Sequence, residues 1–128
     1  MKHYHPTTPS RRHMTTLPFK KYLTTSEPYK PLTKGMKRDV GRNSQGRITV
    51  RHQGGGHKKL YREIDFFYNK KDMKATIKTI EYDPFRTGYI ALVQYADGER
   101  RYILVPKTMK VGNTFIVSEN ALIETGNR

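Results

Sequence analysis

Regular apolar patterning in this chain begins only after Gly56. From Met1 to about Gly46 neither a two-residue alternation nor a helical stripe is sustained, and Pro6, Pro9, Pro18, Pro28 and Pro31 interrupt a segment rich in Thr and Lys. Such a segment cannot bury enough apolar surface to offset an ordering cost of about 1–2 kcal/mol per residue. It is therefore expected to stay mobile until a partner orders it. The core must come from the remainder, and with 34% hydrophobic residues in the chain that core is small.

Short strand-like runs follow. In LYREIDFFYN, Leu60, Ile64, Phe66 and Tyr68 form one mostly apolar face, interrupted by Arg62, with Glu63 and Asp65 opposite. That predicts a strand over residues 60–69 and a turn at NKKD. KATIKTIEYDP changes parity between Ile77 and Ile80, which predicts a bulged second strand ending at Asp83-Pro84. GYIALVQYADGERRYILVPK predicts a hairpin, residues 88–95 and 100–105, turning at Asp97-Gly98. NTFIVSE, residues 113–119, supplies a fifth strand. Five short strands predict an all-β fold: a small five-stranded OB-type barrel with a long basic N-terminal extension, closure removing exposed edges. An SH3-like barrel shares the strand count. The expected division is an extended basic RNA-binding arm over residues 1–46, the barrel with its Gly-rich loop over 47–119, and a C-terminal segment over 120–128.

Charge follows the same division. Residues 1–62 carry 15 Lys or Arg against Glu27 and Asp39, whereas residues 63–128 carry 10 against nine acids. A formal charge of +14 calls for a polyanionic partner, with nucleic acid ahead of an anionic membrane surface. No apolar run approaches the roughly 18 residues of a membrane span, and MKHYHPTTPSRRH lacks the apolar centre of a signal peptide. The chain is expected to be soluble, unsecreted and without a membrane partner. Having no cysteine, it has no disulfide, thiolate metal site or Cys nucleophile, in accord with an intracellular compartment.

The densest basic stretch is GRNSQGRITVRHQGGGHKKLYR, residues 41–62, with six Arg or Lys, two His, five Gly and no acid. Glycines at 54, 55 and 56 let a backbone approach phosphate closely. A Walker loop is excluded, because the Gly-to-Lys spacing is wrong, Lys59 stands in the Ser/Thr place and a strand follows. A flexible glycine linker flanked by solvated charge is the plainer alternative. The surrounding residues favour RNA. Arg42, Arg47, Arg51 and Arg62 can grip phosphate or stack on a base, and Lys58 and Lys59 add point charges. Asn43, His52 and His57 can bond phosphate, ribose or base edges, and Tyr61 can stack on a base. In the arm, Arg11, Arg12, His13, Lys37 and Arg38 are candidate contacts.

Other chemistry is not indicated. The five His are scattered, with no acid or Cys at metal spacing, so no metal and no cofactor are expected. Asp83 and Asp97 belong to turns and Glu63 and Asp65 to a polar strand face, which leaves no acid–base pair for an enzyme and no small-molecule substrate. Arg86, after Asp83-Pro84-Phe85, is the candidate RNA contact of the later half.

PTTPSRRH, GRNSQGRITVRHQGGGHKKLYREIDF, EYDPFR, IALVQYADGERRYILVPK, VG and ETGN, in this order, resemble the N-terminal half of the universal large-subunit ribosomal protein family L-two, in its bacterial and organellar branch. The resemblance implies an OB-type domain and an N-terminal extension threaded into large-subunit rRNA, in a protein that supports rRNA folding, subunit association and the architecture around the peptidyl transferase centre. It implies other ribosomal proteins as partners, and a ribosome of the mitochondrial matrix or the bacterial cytoplasm as location. Ser10, Ser44, Phe67-Tyr68 and Phe85 depart from the family pattern. The family continues into an SH3-like barrel and a basic tail, which predicts either a split gene, with a separate chain supplying that half, or a fragment.

Overall fold

Strand dominates the computed structural model, which describes residues 1–36 and 40–128. Among the described residues the elements run β1 (Lys2–His3), β2 (Thr15–Thr16), a single helical turn α1 (Phe19–Tyr22), β3 (Thr33–Gly35), β4 (Leu60–Arg62), β5 (Ala75–Glu81), β6 (Ile90–Tyr95), β7 (Arg100–Leu104) and β8 (Thr114–Phe115). The strands pair antiparallel: β1 with β2, β3 with β4, and a main sheet ordered β7-β6-β5-β8. Among the described residues no helix is long and apolar enough to cross a membrane.

The central strand is β6. Its sequence IALVQY is almost continuously apolar, as a strand covered on both faces requires. Ala91, Val93 and Tyr95 join Ala75, Ile77, Ile80, Ile103, Met109, Phe115 and Val117 in the larger core cluster. Ile90 and Leu92 point the other way and pack with Tyr102. Each Ile, Leu, Val, Phe or Met among them, fully buried, contributes roughly 1.5–3 kcal/mol. The predicted parity change in β5 is a bulge between Ile77 and Thr79, which lets Ile77 and Ile80 face one cluster despite their odd spacing. The predicted hairpin forms as well. Gly98 takes φ +87°, and Asp97 Oδ1 accepts the N–H of Glu99 at 3.0 Å.

Three expectations need correction. The strand over residues 60–69 stops at Arg62, because Asp65 Oδ1 accepts the N–H groups of Phe67 at 3.0 Å and Tyr68 at 2.9 Å and turns the chain. Beyond it, among the described residues, the Glu63 N–H donates to the Leu32 carbonyl at 3.0 Å and a bridge joins Ile64 to Tyr102. The strand over 113–119 contracts to the two residues of β8, so the main sheet has four strands rather than five.

Nor is the N-terminal segment free throughout. Leu23 packs on the larger cluster, and Tyr29 and Leu32 cover Ile90, Leu92 and Tyr102. The N–H of Thr24 donates to the Ile80 carbonyl at 3.0 Å, while the Thr24 hydroxyl accepts the Ile80 N–H at 2.9 Å. The N–H of Tyr29 donates to the Tyr102 hydroxyl at 2.7 Å. Three apolar side chains without a period suffice to dock residues 23–35.

Candidate nucleic-acid interface

Gly41 allows the basic loop to close on itself. It takes φ +63°, and a Cβ there would collide with the Val50 carbonyl and come within 2.9 Å of Gln53 Cβ. Its own carbonyl accepts the N–H groups of Thr49 at 2.8 Å and Val50 at 3.1 Å. Opposite, the N–H of Asn43 donates to the Arg47 carbonyl at 3.0 Å, and Asn43 Oδ1 accepts the Arg47 N–H at 2.9 Å. A bridge joins Arg42 to Ile48. The result is a miniature hairpin held by its own backbone, with every residue from 42 to 60 exposed.

The glycine run that follows is more than a spacer. Gly54, Gly55 and Gly56 all have positive φ, at +126°, +68° and +83°, and His52 sits at +59°. Residues with a Cβ resist this conformation at a cost of roughly 1–2 kcal/mol each. The backbone path is therefore one that glycine alone follows cheaply. It wraps a groove of about 420 Å³ lined by Gly35, Met36, Val40 and residues 55–60, with Lys58 and Lys59 on its wall.

Beyond the groove, β4 lies beside the turn that ends β5. The Tyr61 and Phe85 rings meet edge to face at 5.6 Å between centroids, and Lys59 Nζ stands 5.7 Å from the Phe85 ring. Next to Phe85, Arg86 lies over the Phe66 ring at 5.6 Å and pairs with the fully buried Asp83 at 3.1 Å. Two stretches far apart in sequence thus form one cationic, aromatic surface.

The acids of the body are spent elsewhere. Arg101 bonds Asp65 at 2.7 Å and Glu99 at 2.6 Å, and Lys70 pairs with Asp97 and Glu99. Burial pushes the Asp65 carboxyl up, but the bonds from Arg101 and the N–H groups of Tyr68 and Phe67 outweigh it and hold the group below its ordinary value. Arg101 holds Glu99 low, and Lys70 does the same for Asp97. Among the described residues, none of Arg11, Arg12, Arg42, Arg47, Arg51, Lys58 and Lys59 forms an ion pair. Here positive charge is left available for a ligand that brings its own negative charge.

Residues 29–118 match the family described as Ribosomal Proteins L2, RNA binding N-terminal domain. The chain belongs to the L2 family. It is a ribosomal RNA-binding protein, of a family that is structural and not enzymatic.

Against that family background, the L2 chain distributes the sequence-derived candidates unevenly. Arg42, Asn43, Arg47, Arg51, His52, His57, Lys58 and Lys59 are exposed on one continuous loop, with the three glycines between them. Arg11, Arg12 and His13 form a separate exposed 3-10 turn, where Arg11 lies over the Tyr4 ring at 5.2 Å. Lys37 and Arg38 lie outside the described residues. Arg62 is not a surface group: it is 8% exposed and donates through Nη1 to the Leu60 carbonyl at 2.7 Å. The pairing with Asp83 likewise commits Arg86 to the body. Sequence reading missed Phe85 and Phe66 as the rings that gather Lys59 and Arg86, since Phe85 lies in a turn and Phe66 falls on the apolar face predicted for a strand over residues 60–69. Among the described residues no group of three or more His, Cys, Asp or Glu could hold a metal ion.

Proposed function

We propose that this L2 protein is a structural constituent of the large ribosomal subunit, binding and stabilising large-subunit rRNA so that the RNA folds and the subunit keeps its architecture during translation. One observation carries the reading. The bases of the 42–59 loop are exposed and without acid partners among the described residues, whereas Arg101, Lys70 and Arg86 of the body are paired. A polyanion gains most where cations are preformed and uncompensated.

In this reading the main sheet and β4 together make a five-stranded OB-type barrel, with the Ile64–Tyr102 bridge seating β4 beside β7. The barrel presents the loop to folded RNA, and the residues ahead of it act as a basic extension between RNA helices. The ribosome is of bacterial cytoplasmic or mitochondrial type. Neighbours include other ribosomal proteins and the family's second half, carried in the same polypeptide or another.

The test is co-sedimentation with large subunits in high-magnesium buffer, joined to a salt titration of binding to large-subunit rRNA. With about 8 phosphates engaged, log K falls against log salt with a slope near −6 to −7. Absence from the subunit peak, or a slope shallower than about −2, overturns the proposal.

A further inference from the structure

Arg62 stands at the wall of an open cavity of about 370 Å³, lined also by Phe19, Leu23, Thr25, Ser26 and Tyr82. It is more than nine-tenths buried, and its Nε is shielded from solvent without a hydrogen-bond partner. Among the described residues no acid pairs with it. The buried carboxylate nearby, Glu81, is taken by the hydroxyls of Tyr102 at 2.7 Å and Thr79 at 2.8 Å. A guanidinium whose Nε is buried without a hydrogen-bond partner is unfavourable unless a ligand completes it.

The other walls supply what such a ligand would need. The Thr25 oxygen accepts the N–H of Glu27 at 3.4 Å, leaving its O–H to donate, and Ser26 lines the same cavity. Phe19 meets Tyr82 edge to face at 5.2 Å, giving one side an aromatic surface, and both rings are partly exposed at the mouth. Among the described residues no acid lines the cavity. One arginine, two hydroxyls and an aromatic wall match a phosphate carrying a planar base.

We propose that this cavity takes a single unpaired ribonucleotide of the bound RNA, its phosphate on Arg62 and the hydroxyls of Thr25 and Ser26, its base against Tyr82 and Phe19. The assignment rests on the reading of the chain as an rRNA-binding protein and adds a second site to the exposed loop. The site exists because residues 19–26 dock across β5, so nucleotide capture and docking of that segment reinforce each other.

The experiment uses the full chain and a large-subunit rRNA transcript, with binding measured across a salt series and photo-crosslinked peptides mapped by mass spectrometry. Arg62→Gln is expected to weaken binding about tenfold and to flatten the salt slope by about 0.7–0.9, the share of one phosphate. Thr25→Ala with Ser26→Ala, which removes no buried packing, is expected to weaken binding about threefold, roughly the loss of one modest hydrogen bond. A crosslink at Tyr82 or Phe19 is expected in the parent chain. If the loop variant Arg47→Ala, Arg51→Ala, Lys58→Ala loses affinity while both cavity variants keep parental affinity and slope, the cavity proposal fails and the rRNA reading stands. If RNA does not bind the parent chain, the rRNA reading itself fails. Binding of an acidic peptide at Arg62 with rRNA affinity untouched by the cavity variants would assign the site to a protein partner and overturn the proposal.

Discussion

The Tyr102 hydroxyl donates to Glu81 at 2.7 Å while accepting the N–H of Tyr29, also at 2.7 Å, so one buried oxygen ties β7, β5 and the N-terminal segment together. Tyr102→Phe keeps the ring and removes that junction. Glu81 then loses a buried donor and Tyr29 a buried acceptor, at a cost of about 1–3 kcal/mol. Thermal denaturation should show a melting point lower by several degrees, and hydrogen exchange should show faster amides over residues 29–35. An unchanged melting point would show that the contact contributes nothing.

Gly41→Ala meets both a strained φ and the Val50 carbonyl, whereas Gly46→Ala, at φ +79°, meets open space. The first should disorder the 42–50 hairpin and the second should cost only the backbone strain, roughly 1–2 kcal/mol. Limited proteolysis separates them. Cleavage within the loop is expected to accelerate strongly for Gly41→Ala and weakly for Gly46→Ala, with the body equally resistant in both.

Replacing Arg47, Arg51 and Lys58 together with Ala removes three exposed cations that support no packing. Affinity for rRNA should fall, and the salt slope should become shallower by about 2–3. The melting point should stay within about 2 °C of the parent, as surface changes usually shift stability by less than about 0.5 kcal/mol. Calorimetry and a salt titration check the two halves.

Asp65 sets an acid limb. Its carboxyl is held below the ordinary value in the fold, so its stabilising contribution is present above the unfolded value of about 4 and is lost as pH falls through the folded one. Asp65→Asn should flatten the loss of stability below about pH 4. Tyr102 behaves in the opposite sense, since burial first and the Glu81 bond second raise its phenol. Its contribution is complete below about pH 10 and declines above that, so Tyr102→Phe should lack this part of the alkaline loss. Urea midpoints measured across pH check both limbs.

How much of this was legible in the sequence depends on whether the signal was local. The hairpin at Asp97-Gly98 and the bulge after Ile77 were readable because turn chemistry and side-chain parity are written within a few neighbouring residues. The early end of β4 was not, because alternation through Phe66 and Tyr68 mimics a strand while the Asp65 carboxylate, bonding two N–H groups, turns the backbone. Docking of Leu23, Tyr29 and Leu32 leaves no period to read. The loop cations were found by composition alone. The cavity at Arg62 could not be, since an arginine breaking an apolar face looks the same in sequence whether it points out to solvent or into a pocket.

The separation of charge has a further consequence. Lys59, through Phe85, sits at the end of the sheet where β6 begins, whereas Asp97 and Glu99 lie past Tyr95, at its other end. Six residues of strand put these ends about 20 Å apart. The loop end carries cations without acid partners among the described residues, whereas at the other end acids offset Lys70 and Arg101, so near a polyanion the body feels torque as well as attraction. It swings its glycine-rich end forward before any atom touches, so a larger share of collisions arrive in a productive orientation.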